Sequence, residues 1–183
     1  RVRSETAKQT IPYTFDALWA SVPKAMLPAP NWKMSASHTA ETRKGSTASA
    51  QGAFTFEGWT TGITQQAGMW FQVELPSVIS LTELQFKSPS ISRGWQKGSP
   101  PPIQTYPKEY DVDVSLDGKL WTKVIIKGEG TGSSMAIRFN PVNTKFLRIT
   151  LTKSETVVHG ERRGKPFDFE VAWTMREFKI YGL

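Results

Sequence analysis

Short blocks in which apolar and polar residues alternate one for one constrain this fold more than any other feature of the chain. Phe71, Val73 and Leu75 alternate with Gln72 and Glu74; Leu84 and Phe86 alternate with Glu83 and Gln85; Tyr110, Val112 and Val114 alternate with Asp111, Asp113 and Ser115. Successive side chains of a strand point to opposite faces, so a period of two predicts half-buried strands. Asp117-Gly118 supplies the positive backbone angles of a tight hairpin turn, after which residues 120–126 return. Further strands are expected over residues 135–139, at Leu147, Ile149 and Leu151, and at Phe178 and Ile180. Strands separated by turn signals outnumber any helix, which predicts an all-β antiparallel sandwich or barrel.

Residues 1–30 differ. Pro12, Pro23, Pro28 and Pro30 break them up, leaving room for one short helix over residues 15–21 with Thr14 as its N-cap. Tyr13, Phe15, Leu18 and Trp19 are apolar enough for this N-terminal arm, or linker, to pack on a body formed by residues 31–183. The beginning of the chain has no apolar leader segment, so the sequence reads as a processed piece of something longer. Two segments do not read as strands: residues 88–107, rich in proline, and 153–173, with Gly160, Gly164 and Pro166 among charged residues. Long loops in a compact domain are often functional, so a site is expected there.

Composition narrows the chemistry. With no cysteine among 183 residues, disulfides, thiolate metal sites and cysteine nucleophiles are excluded. The formal charge of +7 is spread without a run of five cations, which favours a solvated surface and makes nucleic acid an unfavoured partner. The two histidines lack metal-binding spacing, and no Gly-rich phosphate loop is present, so no enzyme is expected. Asp111 and Asp113 share one strand face and read as solvated surface, not as a catalytic pair.

The order of motifs from about Trp32 to Leu183 resembles the discoidin, or coagulation factor 5/8 type C, family. Trp32-Lys33-Met34-Ser35-Ala36-Ser37-His38 resembles its opening strand, and Gly58-Trp59-Thr60-Thr61-Gly62 with Met69-Trp70-Phe71-Gln72-Val73-Glu74-Leu75 resembles its next stretch. The most specific fragment runs from Tyr110 through Ser115, Asp117 and Gly118 to Trp121. Phe146-Leu147-Arg148-Ile149 and the closing Trp173-Thr174-Met175-Arg176-Glu177-Phe178-Lys179-Ile180-Tyr181-Gly182 complete the series. The resemblance implies a jelly-roll-like, galactose-binding-domain-like sandwich of about eight strands that binds a glycan through loops at one end. It also implies an exported, extracellular, cell-surface or periplasmic setting. Without disulfides, a bacterial targeting appendage is expected. Other domains of the same polypeptide, or a membrane surface, stand as alternative partners.

Sugar sites stack an aromatic face on the apolar face of a sugar while polar side chains bond its hydroxyls. Trp59, Trp70, Trp121 and Trp173 fall in framework motifs and read as core, and Trp32 as an anchor for the N-terminal zone. Trp95 stands in the first loop with Arg93, Lys97 and Tyr106, in a stretch from 87 to 108 that has four basic residues and no acidic one. The second loop offers His159, Arg162, Arg163, Phe167 and Asp168 with Glu161. These two sets are the expected ligand-binding residues. The family's histidine beside the first tryptophan is Thr60 here, so its galactose site does not carry over unchanged. Its structural calcium would use Glu177, but the family's Asp is lacking from residues 53–58, where Glu57 is the only carboxylate. Calcium needs six to eight oxygens, so no cofactor is expected beyond a structural calcium at Glu177.

Overall fold

A computed structural model describes residues 22–40, 49–93, 99–162 and 164–183, with only the backbone at Arg162. The strands are β1 (Lys24–Met26), β2 (Lys33–Ala36), β3 (Trp59–Thr64), β4 (Trp70–Lys87), β5 (Glu109–Ser115), β6 (Thr122–Glu129), β7 (Ser134–Leu151), β8 (Val158–Arg162), β9 (Lys165–Phe169) and β10 (Ala172–Gly182). The expected N-terminal helix lies outside the described residues. Lys24–Met26, inside the expected arm, pairs antiparallel with the end of β10. Eight strands join in the order β1-β10-β4-β7-β5-β6, with β2 on β4 and β3 on β10, while β8 and β9 form a separate ribbon.

Two long strands build the sandwich. The first half of β4 pairs with β2 and the second half of β7; its second half pairs with β10 and the first half of β7. The β4–β7 register breaks between Glu74 and Ile79 and again between Leu81 and Glu83. Pro76 falls within the first break, and Pro141 lies opposite the second, between the paired residues Arg138 and Val142. Proline has no N–H for the ladder, so it is tolerated where pairing lapses. The sequence pattern read each long strand as two, because alternation stops at these breaks.

The two layers meet through aromatic rings. Phe71 on β4 is not paired with β3 or β10, yet its ring lies 5.0 Å from Trp59 and 5.7 Å from Phe178. Trp59 meets Trp173 edge-on at 5.1 Å, and Phe178 also meets Phe54 at 5.2 Å and Phe86 at 6.0 Å. Phe54 ends a 3-10 turn, Ala50–Phe54, capped by the Ser49 side chain, and its ring stands edge-on to buried Trp32. Trp59 and Trp173 are therefore core, as expected, and Trp32, expected as an anchor for the N-terminal zone, is core as well.

Trp70 and Trp121 are not. Both are half-buried on the outer face of the sheet, where the Arg148 guanidinium lies 5.2 Å from the Trp70 ring and 4.2 Å from that of Trp121. Gln72 on the same face accepts from Arg148 Nε and Nη2. A framework tryptophan need not point inward: its alternation partner Phe71 takes the core position.

The β5–β6 turn also departs from expectation. Gly118 has φ +73, but Asp117 is not in the left-handed region. Asp117 acts through its side chain instead: Oδ1 accepts from the N–H groups of Lys119 and Leu120, which shapes a six-residue loop rather than a two-residue turn.

Asp111 is buried, not solvated as its alternation suggested. Its Oδ2 accepts from Lys123 Nζ at 2.6 Å and its Oδ1 from the N–H of Lys127, a residue at φ 51. Burial pushes the carboxyl up, but these hydrogen bonds and the two lysine charges outweigh it and hold the group below its ordinary value. A depressed native pKa contributes stability that is complete above the unfolded value and lost as pH falls through the native one. Asp111→Asn should thus cost about 1–2 kcal/mol at pH 7. It should also flatten the loss of thermal stability on acidification below about pH 4, where an unperturbed Asp titrates. An unchanged acid limb in scanning calorimetry would remove this role.

A groove at one end of the sandwich

β4 finishes at the same end of the sheet at which β10 begins, since Lys87 pairs with Arg176. The segment after β4 is tied down there. Ser88 Oγ donates to Thr174 O, Thr105 Oγ1 donates to Pro89 O, and Ile91 and Ile103 form an antiparallel bridge. Beside it stands the β8–β9 ribbon, which overturns the expectation that residues 153–173 carry no strand. Gly164 turns it at φ +74, and its residues pair from Val158 with Phe169 to Arg162 with Lys165. Most of the ribbon is exposed on both faces, so no burial alternation marks it in the sequence.

Between this ribbon and the Arg93 segment lies a cavity of about 620 Å³, within the size range of small-ligand sites. Arg93, Glu161, Phe167, Asp168 and Glu170 line it around Ile91. Phe167 is 40% exposed, and its ring stands edge-on to Phe169 at 4.9 Å, because the two lie two residues apart on one ribbon face. Arg93 is held by Nε donating to Pro101 O at 3.0 Å. His159 pairs across the ribbon with Asp168, Nδ1–H donating to Oδ1 at 2.7 Å, with both side chains mostly in water. Glu170 is a fixture of the wall: one carboxylate oxygen accepts from the Thr64 N–H at 2.6 Å and from the Thr64 hydroxyl, pinning the β9–β10 connection to the end of β3.

Of the expected ligand residues, Arg93, Phe167 and Asp168 come together around this cavity, and His159 joins them through Asp168. Tyr106 lies elsewhere. It is half-buried, with the Lys108 ammonium 3.8 Å from its ring centre and Gly130 packed against its edge. Trp95, Lys97 and Arg163 fall outside the described residues, and so does the Arg162 side chain.

A second cavity, of about 330 Å³, adjoins the first and shares Ile91 and Ala172 with it. Its walls carry Glu57, Thr60, Ser90, Thr174 and Arg176. Sequence reasoning noted Thr60 and Glu57 only as departures from family positions and missed Arg176, which sat unnoticed inside a framework motif.

Glu177, expected as the calcium ligand, sits at φ 49 at a break in β10 pairing, with its N–H donating to Thr55 O. Both of its carboxylate oxygens accept from Lys87 Nζ, at 2.9 and 2.8 Å, and that hydrogen bond holds the carboxyl below its ordinary value. Hydrogen bonding to its own N–H and to Thr55 holds the exposed Glu57 carboxyl below its ordinary value. Among the described residues no group of three or more His, Cys, Asp or Glu side chains converges as a metal site. With an ammonium already against the Glu177 carboxylate, the side-chain donors among the described residues do not fit calcium.

The chain is thus an antiparallel sandwich whose loops at one end surround a groove lined by polar and aromatic side chains. The F5/8 type C domain model matches residues 33–162, and the chain belongs to that family. Solved structures agree on the fold. Chitosan-binding module 1 of a chitosanase/glucanase from Paenibacillus sp. IK-5 is 21% identical, with a TM-score of 0.55 over 83% of this chain and 96% of that one. Module 2 of the same enzyme, solved with chitotriose, is 20% identical, with a TM-score of 0.55 over 83% and 97%. The family 32 carbohydrate-binding module of NanJ from C. perfringens, solved with galactose, is 13% identical, with a TM-score of 0.57 over 87% and 99%. No curated protein sequence matches the chain. Among the described residues no helix is long and apolar enough to cross a membrane.

Proposed function

We propose that the chain is a non-catalytic carbohydrate-binding module that holds a glycan in the end groove and targets a larger exported protein to it. The observation that carries this reading is the cavity between Arg93 and the β8–β9 ribbon. There an exposed Phe167 ring stands beside charged groups able to bond hydroxyls. The neighbouring structures solved with chitotriose and with galactose support a glycan as the ligand class. The absence of catalysis is supported by the geometry of the paired carboxylates: Lys123 bridges Asp111 and Asp113, at 2.6 and 3.5 Å, in a structural ion-pair cluster.

A panel of neutral, amino and acidic glycans tests this by affinity electrophoresis and calorimetry. Retention is expected, with Phe167→Ala and Arg93→Ala each weakening it about tenfold, or about 1.4 kcal/mol. Because stacking and hydroxyl bonding are short-range, 0.5 M salt should leave most of the affinity in place. Chelation with EDTA should change neither affinity nor melting temperature, since Lys87 occupies the Glu177 carboxylate. A panel with no retained glycan ends the reading.

A membrane or protein partner is the second reading. It is favoured by Leu116 and Leu120, 57% and 79% exposed on the β5–β6 loop. Binding to anionic vesicles that salt abolishes would bring this reading to the front.

A further inference from the structure

From the second cavity we infer that the groove has a second sugar-binding position, built by Phe56 and Arg176. Its natural ligand is then an oligosaccharide of at least two residues rather than a single terminal sugar. This inference rests on the carbohydrate-binding reading above and deepens it.

Phe56 is the starting point. It is 74% exposed in the short loop between the 3-10 turn and β3, and the Arg176 guanidinium lies 5.5 Å from its ring centre. A single exposed phenylalanine is ordinary on a protein surface. This one is not isolated, for its partner Arg176 and its neighbours Glu57 and Gly58 line the second cavity. Arg176 Nε is buried and has no hydrogen-bond partner. A guanidinium in the cavity wall supplies donors that pair with the oxygens of a sugar. Thr60, Ser90 and Thr174 add hydroxyl-bearing side chains that both donate and accept, the character sugar hydroxyls require.

The first position has the same composition: the exposed Phe167 ring, an arginine in Arg93 and a carboxylate in Asp168. The two cavities share Ile91 and Ala172, and Ile91 is 39% exposed where they meet. An aromatic ring with an arginine and a carboxylate thus stands at the first cavity and again beside the second, and the two cavities share an apolar saddle. A glycan chain offers the matching repeat of apolar ring faces and hydroxyl edges.

Calorimetry with galactose, galactobiose and β-1,4 glucosamine oligomers of one to four units, on the whole chain, reads the number of positions. For a probe series that binds, affinity should rise at least tenfold from one unit to two or three. Phe56→Ala and Arg176→Met should flatten that rise while leaving affinity for the single sugar within about twofold, less than 0.5 kcal/mol at 1.4 kcal/mol per decade. Phe56 is exposed, so its variant should fold, and an unchanged melting temperature confirms it. Equal affinity for one and three units, or a length dependence untouched by both substitutions, overturns the second position and leaves the first. No binding of any oligomer, together with an empty glycan panel, removes the carbohydrate reading and this one with it.

Discussion

Phe178→Ala should lower stability by about 3–5 kcal/mol, the range for truncating a buried aromatic residue. Phe178 is 2% exposed and meets three rings, from the 3-10 turn (Phe54), from the first half of β4 (Phe71) and from its second half (Phe86). Truncation would open a void faced by the 3-10 turn and by both halves of β4, and β4 cannot collapse to fill it without leaving its strand register. Close-packed interiors lose both burial and dispersion energy when that happens. The flanking backbone makes repair harder. Glu177 is held at φ 49, with its N–H on Thr55 and its carboxylate on Lys87, so the β10 chain is pinned just before the void. For a domain of this size the expected drop in melting temperature is about 6–20 °C, read by circular dichroism or calorimetry. Phe178→Leu keeps most of the volume and should cost less than half as much. A loss below about 1 kcal/mol for the alanine variant would mean that the layers slide together and that these rings are not the joint of the sandwich.

Much of this joint was legible in the sequence, because burial leaves a period. Phe71, Val73, Leu75, Leu84, Phe86, Val112 and Val114 all lie in the core where their alternation put them. What alternation does not carry is context. Trp70 and Trp121 looked like core because they fall in framework motifs on or beside strands, whereas each packs a face on Arg148 at the sheet surface. Asp111 looked like surface because it alternates with valines, whereas Lys123 and the Lys127 N–H, more than ten residues away, make its burial tolerable. The site was legible in composition but not in shape. Phe167 and Asp168 stood out as an aromatic and a charge in an apparent loop. That the loop is a ribbon depends on pairing between polar, solvent-facing residues, which leaves no hydrophobic signature. Phe56 and Arg176 lie 120 positions apart and meet only because β10 pairs with β3. Nothing local to either residue marks the contact.

One added methyl group tests fold and groove together at Gly58, where both depend on the same atom's absence. Gly58 has φ +84, a region in which a Cβ strains the backbone by about 1–2 kcal/mol. A Cβ there would also lie 2.5 Å from Arg176 Cγ and 2.9 Å from the carbonyl oxygen of Met175. The arginine can swing away, but the Met175 carbonyl belongs to β10 and cannot. Gly58→Ala should therefore cost about 2–3 kcal/mol, or about 4–12 °C in melting temperature. Gly68→Ala separates the two causes. Its φ of +91 is as demanding, yet nothing lies within 4 Å of the added carbon, so it carries the backbone strain alone. The excess loss at Gly58 over Gly68 measures the clash. Because relief of that clash displaces Arg176, Gly58→Ala should also weaken binding of a sugar trimer while sparing the monosaccharide, and Gly68→Ala should do neither. Equal stability losses with unchanged trimer binding would mean that Arg176 has no fixed place against Gly58, and the arginine wall of the second cavity would go with it.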